Sequence, residues 1–189
     1  MMYSQNQLMF HTGSSVLGNF AIIWSLFDES PGIVRILLTQ SGISREKQIT
    51  GRYGAILRRS CPGIDAIAGR IESFLNGRIT EFSLAHIRLE LCPPFQKRVL
   101  EAEYRIPRGC VSTYQRIARY VQHPGAARAV GNALARNPFP VIIPCHRAIR
   151  SDGTTGGFQG GPDMKRALLE YEGNRFDSRN RMILPHFHY

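Results

Sequence analysis

Apolar side chains at Ile64, Ile67, Ala68, Ile71, Phe74 and Leu75 recur three and four positions apart, the spacing of one helical face, and Gly77 stands where such a helix stops. The segments around it have another pattern. Residues 19–26 and 32–39 are dense in aromatic and β-branched side chains with turn chemistry at 28–32 between them, which predicts a hairpin. Residues 82–91 end in alternation, with Ile87, Leu89 and Leu91 set against Arg88 and Glu90, which predicts a third strand. Residues 41–59 are charged and only weakly periodic, through Ile49, Tyr53, Ile56 and Leu57, and read as a helical or mobile insertion. The first half is thus expected to be a small sheet with a helix packed on it.

At Cys92-Pro93-Pro94 the strand pattern gives way to a helical one, which sets the expected domains at 1–92 and 93–189. Phe95, Val99, Ala102 and Ile106 mark an amphipathic helix closed by Pro107 and Gly109. Ser112-Thr113-Tyr114-Gln115 reads as a capping box, with the Ser112 oxygen and the Gln115 amide satisfying backbone donors. Tyr114, Ile117, Ala118 and Val121 then share the face of a second helix. After a turn at Gln122-His123-Pro124-Gly125, with Pro124 expected in the first turn, a third helix runs to about Arg136. Two short helices so joined form a helix-turn-helix candidate.

That third helix is nearly bald. Ala126, Ala127, Ala129, Gly131, Ala133 and Ala135 leave only Arg128, Asn132 and Arg136 with reach. Two readings fit: close packing on another helix, or close approach to a DNA minor groove about 6 Å wide. Asn137-Pro138-Phe139-Pro140 must break the helix, after which Val141, Ile142 and Ile143 read as a short strand delivering Cys145. A last helix is expected from Pro162, with Met164, Ala167, Leu168 and Tyr171 on one face.

Composition narrows the class. A chain of 189 residues with 43% hydrophobic content can bury one good core or two small ones. The formal charge of +10 favours an anionic partner such as nucleic acid, although basic domains also arise without one. No apolar run reaches the roughly 20 residues of a membrane span and no secretory pattern appears, so the expected setting is reducing: the cytoplasm, or the nucleus in a eukaryote. Cys61, Cys92, Cys110 and Cys145 lack the spacing of a zinc site, and no metal is expected.

Of these, Cys145 carries candidate chemistry, in Pro144-Cys145-His146-Arg147. A thiolate is the nucleophile, and neighbouring histidine or cationic groups lower a thiol's pKa. On an extended chain His146 would face away from the sulfur, so a bridging water is the more natural relay. The glycine-rich run 156–161 suits a backbone that sits close to a planar ligand, with Phe158 as an apolar wall. Glu172, at a helix end, reads on its own as a solvated carboxylate.

Residues 95–173 resemble the C-terminal domain of the O6-alkylguanine-DNA alkyltransferases, also called methylated-DNA-protein-cysteine methyltransferases. The resemblance rests on 109–115, 125–131, Asn137-Pro138, 143–147 and 168–173; the first half matches more loosely, through 15–18, its strands and its helix. It implies an α+β fold, with an RNase H-like N-terminal sheet and helix and a mainly helical, winged helix-turn-helix-like C-terminal domain. It also implies a monomer, without cofactor, that flips O6-alkylguanine, and O4-alkylthymine, out of double-stranded DNA and moves the alkyl group once and irreversibly to Cys145. In that scheme His146, through a water, takes the thiol proton and Glu172 polarises the histidine. Tyr114 serves the leaving purine and Asn137 ties the recognition helix to the active-site turn.

By the same resemblance Arg128 fills the vacated stack, while Thr113, Tyr114, Gln115, Ala127, Ala129 and Gly131 meet the DNA. Leu134, Ala148, Gly157, Phe158, Gln159 and Gly160 would line the base pocket. Gln159 stands where other members carry serine or another small residue, which leaves the range of alkyl groups open. Residues 177–189 lie past the family core, as a DNA-contacting tail or as disorder. Two rival classes remain: a binding-only alkyltransferase-like protein, which would lack the cysteine, and a Cys-His hydrolase, whose dyad ordinarily comes from distant segments.

Overall fold

A computed structural model describes residues 7–39 and 45–189. The chain divides into two compact units between Leu91 and Cys92. The fold is α+β.

In the first unit β1 (Met9–Ser15), β2 (Gly18–Phe27) and β3 (Ser30–Leu38) form an antiparallel meander. The β2–β3 turn is only Asp28-Glu29, both at positive φ, the geometry whose twist suits a two-residue hairpin. The first strand is not legible as one: Met-Phe-His-Thr-Gly-Ser-Ser has little strand propensity and is fixed by pairing with β2. The Phe20 ring lies over Gly13, where an added Cβ would fall 2.2 Å from it.

The weakly periodic segment becomes α1 (Arg45–Tyr53) and the two-residue β4 (Leu57–Arg58); its start, 41–44, lies outside the described residues. β4 pairs parallel to β1 and gives the sheet order β3-β2-β1-β4. Ile49 packs on Ala21 and Ile23, so one face of β2 is covered by α1. α2 (Pro62–Leu75) buries the whole expected stripe and packs on β1. The expected third strand at 82–91 is absent. Two 3-10 turns, Leu84–His86 and Leu89–Leu91, replace it, the first capped by Ser83 Oγ, which accepts from the Ala85 N–H at 3.2 Å. One bridge, Ile33 to Ile87, is all that pairs, and Leu91 is exposed: the alternation reflects a three-residue turn.

The second unit starts with α3 (Pro94–Tyr104), then β5 (Ser112–Thr113), α4 (Tyr114–Tyr120) and α5 (Ala127–Ala135). The cap of α4 is Thr113, not Ser112: Thr113 Oγ1 accepts from the Arg116 N–H at 3.2 Å, and no box forms because Arg116, three residues on, cannot reciprocate. Pro124 stays in the turn, two residues before the Ala126 cap, because Gln122 at φ 64 reverses the chain first. β6 (Ala148–Ile149) pairs parallel to β5.

α6 (Gly161–Tyr171) buries Met164, Lys165, Leu168 and Leu169, so its inner face is rotated from the expected one and Tyr171 is exposed. The remaining chain forms a small antiparallel pair, β7 (Arg175–Phe176) and β8 (Met182–Ile183). It then runs beside β5, where Phe187 bridges Val111 and Tyr189 stacks on Tyr120 at 4.0 Å. The segment past the family core is therefore packed. Among the described residues no helix is long and apolar enough to cross a membrane.

Candidate active site

Between α5 and β6 the chain is buried but irregular. Val141 to Ile143 do not form the expected strand: Pro140 and Ile143 bridge across a turn, with the β-branched Val141 at φ 77, a conformation that costs backbone strain. Asn137 holds this segment. Its Oδ1 accepts from the Phe139 N–H at 2.9 Å, and its Nδ2 donates to the Ile143 carbonyl at 3.2 Å and to Cys145 Sγ at 3.1 Å. The end of the small-residue helix is thus linked to the thiol by one side chain.

Cys145–Arg147 is a 3-10 turn, not extended chain. The turn sends consecutive side chains in different directions. Cys145 is buried beside Asn137, and His146, wholly buried, directs Nε2 to Glu172 Oε1 at 3.0 Å. Arg147 grips the same carboxylate through Nε at 2.9 Å and Nη2 at 2.7 Å. Arg147 also donates from Nη1 to the Ile106 carbonyl. The Glu172 side chain has no solvent exposure, so the solvated reading fails. The sequence gives Glu172 a histidine partner through the resemblance, but nothing in it signals Arg147.

The electrostatics follow from burial. Desolvation pushes the Cys145 thiol up to about 12, against the Asn137 hydrogen bond. Desolvation also lowers His146, against the pull of Glu172, so the imidazole is neutral at pH 7. Burial by itself would raise Glu172, but His146 and Arg147 outweigh it and hold the carboxyl at about 2. An ionised carboxylate only accepts hydrogen bonds, so Nε2 carries the imidazole proton and the basic lone pair is on Nδ1.

The remaining expected residues fall in two groups. Tyr114 opens α4, half-buried, with its hydroxyl against Gly156: a Cβ added there would lie 2.7 Å from the oxygen, and Gly156 has φ 70. Burial raises the Tyr114 hydroxyl. Ala148 is buried after the turn, and the half-buried Phe158 meets the His146 ring edge-on at 6.3 Å, so the glycine loop stands next to the turn. Gly157 is exposed on that loop, while Gln159 and Gly160 are half-buried and Leu134 is buried under α5.

Arg128, Ala129 and Gln115 form the outer group and are exposed; Ala127 and Gly131 are half-exposed, and Thr113 is turned inward as the α4 cap. Arg128 makes no ion pair or hydrogen bond with any described residue. Lys165 and Glu103 do not stand out in the sequence. Both are fully buried here, and Lys165 Nζ donates to the Ala148 carbonyl at 2.6 Å and the Gly157 carbonyl at 3.2 Å.

Residues 94–174 match the family described as 6-O-methylguanine DNA methyltransferase, DNA binding domain. A methylated-DNA–protein-cysteine methyltransferase of Methanothermobacter thermautotrophicus is 44% identical over 110 residues, 58% of this chain and 61% of that protein. The match therefore spans less than two thirds of that relative. A protein of the same name from Mycobacterium tuberculosis is 42% identical over 118 residues, 60% of this chain and 70% of its own length. Two crystal structures are similar across most of the chain. That of Mycobacterium tuberculosis OGT in complex with DNA has a TM-score of 0.67 at 29% identity, covering 87% of this chain and 93% of the other. That of the O6-methylguanine-DNA methyltransferase of Pyrococcus kodakaraensis has 0.61 at 25% identity, covering 88% and 99%. Sequence and fold agree, and the chain belongs to the methylated-DNA–protein-cysteine methyltransferase family.

Proposed function

We propose that this protein repairs O6-alkylguanine, and O4-alkylthymine, in double-stranded DNA by moving the alkyl group to its own Cys145 in a single turnover, as a monomer without a cofactor. The observation that carries the reading is the buried Cys145 thiol held by Asn137 next to a buried neutral His146 that is anchored on ionised Glu172. A thiol pushed up to about 12 is protonated at neutral pH, so it needs a base at the moment of attack. His146 Nδ1, through a bridging water, is that base. Sulfur attacks the alkyl carbon in line, the S–C bond forms, and the C–O6 bond breaks with its electron pair going to O6. Tyr114 gives the purine a proton and regains one from the relay, which is holding the thiol proton. The products are guanine and a thioether, which leaves nothing to regenerate the thiol.

A base within a duplex cannot reach a buried sulfur, so the nucleotide must be flipped out at a cost of a few kcal/mol. The bald outer face of α5, with Arg128 exposed and unpaired among the described residues, supports its placement in the minor groove, with Arg128 filling the gap. Ala127, Ala129 and Gly131 let the backbone come close, and Tyr114 and Gln115 at the start of α4 meet the phosphates, while the inward-turned Thr113 serves them as the α4 cap. The pocket for the flipped base comprises Leu134, Ala148, Gly157, Phe158, Gln159 and Gly160. In fold terms α4 and α5 with their short parallel pair act as a winged helix-turn-helix, and the first unit is an RNase H-like layer.

Incubation with duplex DNA containing O6-methylguanine, followed by peptide mass spectrometry, tests the reading: Cys145 gains one methyl group per chain and no more. An unmodified Cys145 would leave a recognition protein instead, and repeated turnover on an ester would indicate a hydrolase. Arg128→Ala is expected to slow transfer from duplex DNA by one to two powers of ten, about the size of the flipping cost, and to leave dealkylation of the free base nearly unchanged. Equal losses on both substrates would remove the finger role. Binding is expected to depend steeply on salt and little on sequence. With six or more phosphate contacts, affinity falls about a thousandfold or more between about 50 and 200 mM salt, and a flat titration would exclude backbone-dominated binding.

A further inference from the structure

The segment past the family core folds onto the start of the second unit. The Val111 N–H donates to the His186 carbonyl at 2.9 Å, and the His188 N–H donates to the Val111 carbonyl at 2.8 Å. Phe187 packs on the buried cluster of Val111, Ile149, Leu169 and Met182, and Tyr189 stacks on Tyr120 of α4. The segment is held by both pairing and packing.

Between it and α4 lies an open groove of about 640 Å³, lined by Gln115, Arg116, Arg119, Ser151, Phe187 and Tyr189 among others. No acidic side chain lines it, so two guanidinium charges set its field. Gln115, Arg116 and Arg119 are three and four residues apart and share one face of the helix. Because Gln115 belongs both to this groove and to the start of α4, the groove continues the side proposed above to meet the phosphates.

The two arginines differ in one respect. Arg116 is stationed by the C-terminal segment: its guanidinium lies 4.5 Å over the Phe187 ring, and Nη1 donates to the Tyr189 backbone oxygen. The side chains of Arg119, Gln115 and Ser151 make no hydrogen bond or ion pair with any described residue. A positive fork, an amide and a hydroxyl thus converge with unused donors, the set that grips a backbone phosphate. The groove falls within the range of about 300–1,000 Å³ found for ligand sites, so a phosphate fits together with its sugar. Fixing Arg116 in advance lowers the ordering cost of binding.

We propose that the C-terminal segment, α4 and Ser151 build a site for one backbone phosphodiester of duplex DNA, gripped by Arg116 and Arg119 with Phe187 holding Arg116 in place. This rests on the reading that sets α4 against DNA, and not on alkyl transfer. The test is the salt dependence of affinity for a labelled, lesion-free duplex, read by anisotropy.

Arg119→Gln is expected to make the plot of log affinity against log salt shallower by about 0.9, the share of one phosphate. Arg175→Gln on β7 removes the same charge but lines no part of the groove, and is expected to leave the slope unchanged. Phe187→Leu keeps every charge and is expected to weaken binding about two- to fivefold, a loss that disappears in the Arg116→Gln background. Equal slopes for Arg119→Gln and Arg175→Gln, or a Phe187→Leu loss that is the same with and without Arg116, would overturn the proposal. If Arg119→Gln abolishes binding of inorganic phosphate, followed through the arginine Nε signals, yet leaves the duplex slope unchanged, the groove is a free-anion site and the DNA assignment falls. Should Cys145 take up no methyl group, the proposed function falls, while the titration on lesion-free duplex still decides this inference.

Discussion

Cys145→Ala is expected to abolish alkyl uptake outright while leaving affinity for lesion-containing duplex within about threefold and costing about 1 kcal/mol of stability. In the proposed reaction the sulfur is the bond-forming atom, so no neighbour can substitute for it. Its structural part is small: it accepts one hydrogen bond from Asn137 Nδ2, which keeps the Ile143 carbonyl as a partner when the sulfur is gone. Alanine fits the 3-10 turn and removes one buried atom. The side chains of α4 and α5 proposed to meet DNA are on other elements and stay where they are. Intact mass after incubation with methylated duplex, and anisotropy with a labelled duplex, read the two quantities separately. Uptake by the variant would point to Cys61, Cys92 or Cys110, all of them partly exposed thiols outside any disulfide, and would end the assignment to Cys145.

How far such a site can be read from sequence depends on which force sets each element. The α2 stripe is legible because its six apolar positions fall on one face and the whole face is buried. β1 is hidden because His11, Thr12, Gly13 and Ser14 carry no strand signal; β2 imposes the conformation from across the ladder. Alternation misleads at 82–91, where Ser83 caps a 3-10 turn and only Ile87 and Leu89 of the three apolar positions are buried. The apolar run 141–143 misleads for another reason: prolines on either side and a positive φ at Val141 make it a turn.

Within the site, Cys145, His146 and Glu172 are legible through motif order, and their arrangement is not. A turn where extended chain is expected puts the thiol on Asn137 and the imidazole on Glu172. Lys165 is a single residue away from the expected α6 face, and a helical wheel rotated by that amount assigns its ammonium to solvent. Glu103 follows Ala102 on α3 and carries no outward sign that it is buried. Charged residues in a core are found only by asking what encloses them.

Glu172→Gln is the substitution with the largest expected cost to the fold. The carboxylate closes α6, where the helix dipole disfavours an acid, so its ionised state depends on His146 and Arg147. Neutralising it leaves a guanidinium that cannot lose its proton, with only 12% side-chain exposure, facing an amide. Breaking such a pair costs about 3–5 kcal/mol. The acid dependence gives a similar size. A carboxyl held at about 2 against an ordinary 4.5 contributes about 3 kcal/mol. Since the folded pKa is depressed, this stability is complete above about pH 4.5 and is lost as pH falls toward about 2. His146, also depressed, adds a loss of the same sign that begins below about pH 6.5.

Urea unfolding at a series of pH values reads both effects. The variant is expected to be several kcal/mol less stable at pH 7 and to lack the carboxylate's share of the acid slope. Transfer measured well below the melting temperature is expected to fall by about a hundredfold or more, because a neutral amide no longer fixes the imidazole proton on Nε2 and the base on Nδ1. A variant within about 1 kcal/mol of the unsubstituted protein that keeps the same acid slope would show that the carboxylate is not what holds the Cys145–Arg147 turn to α6.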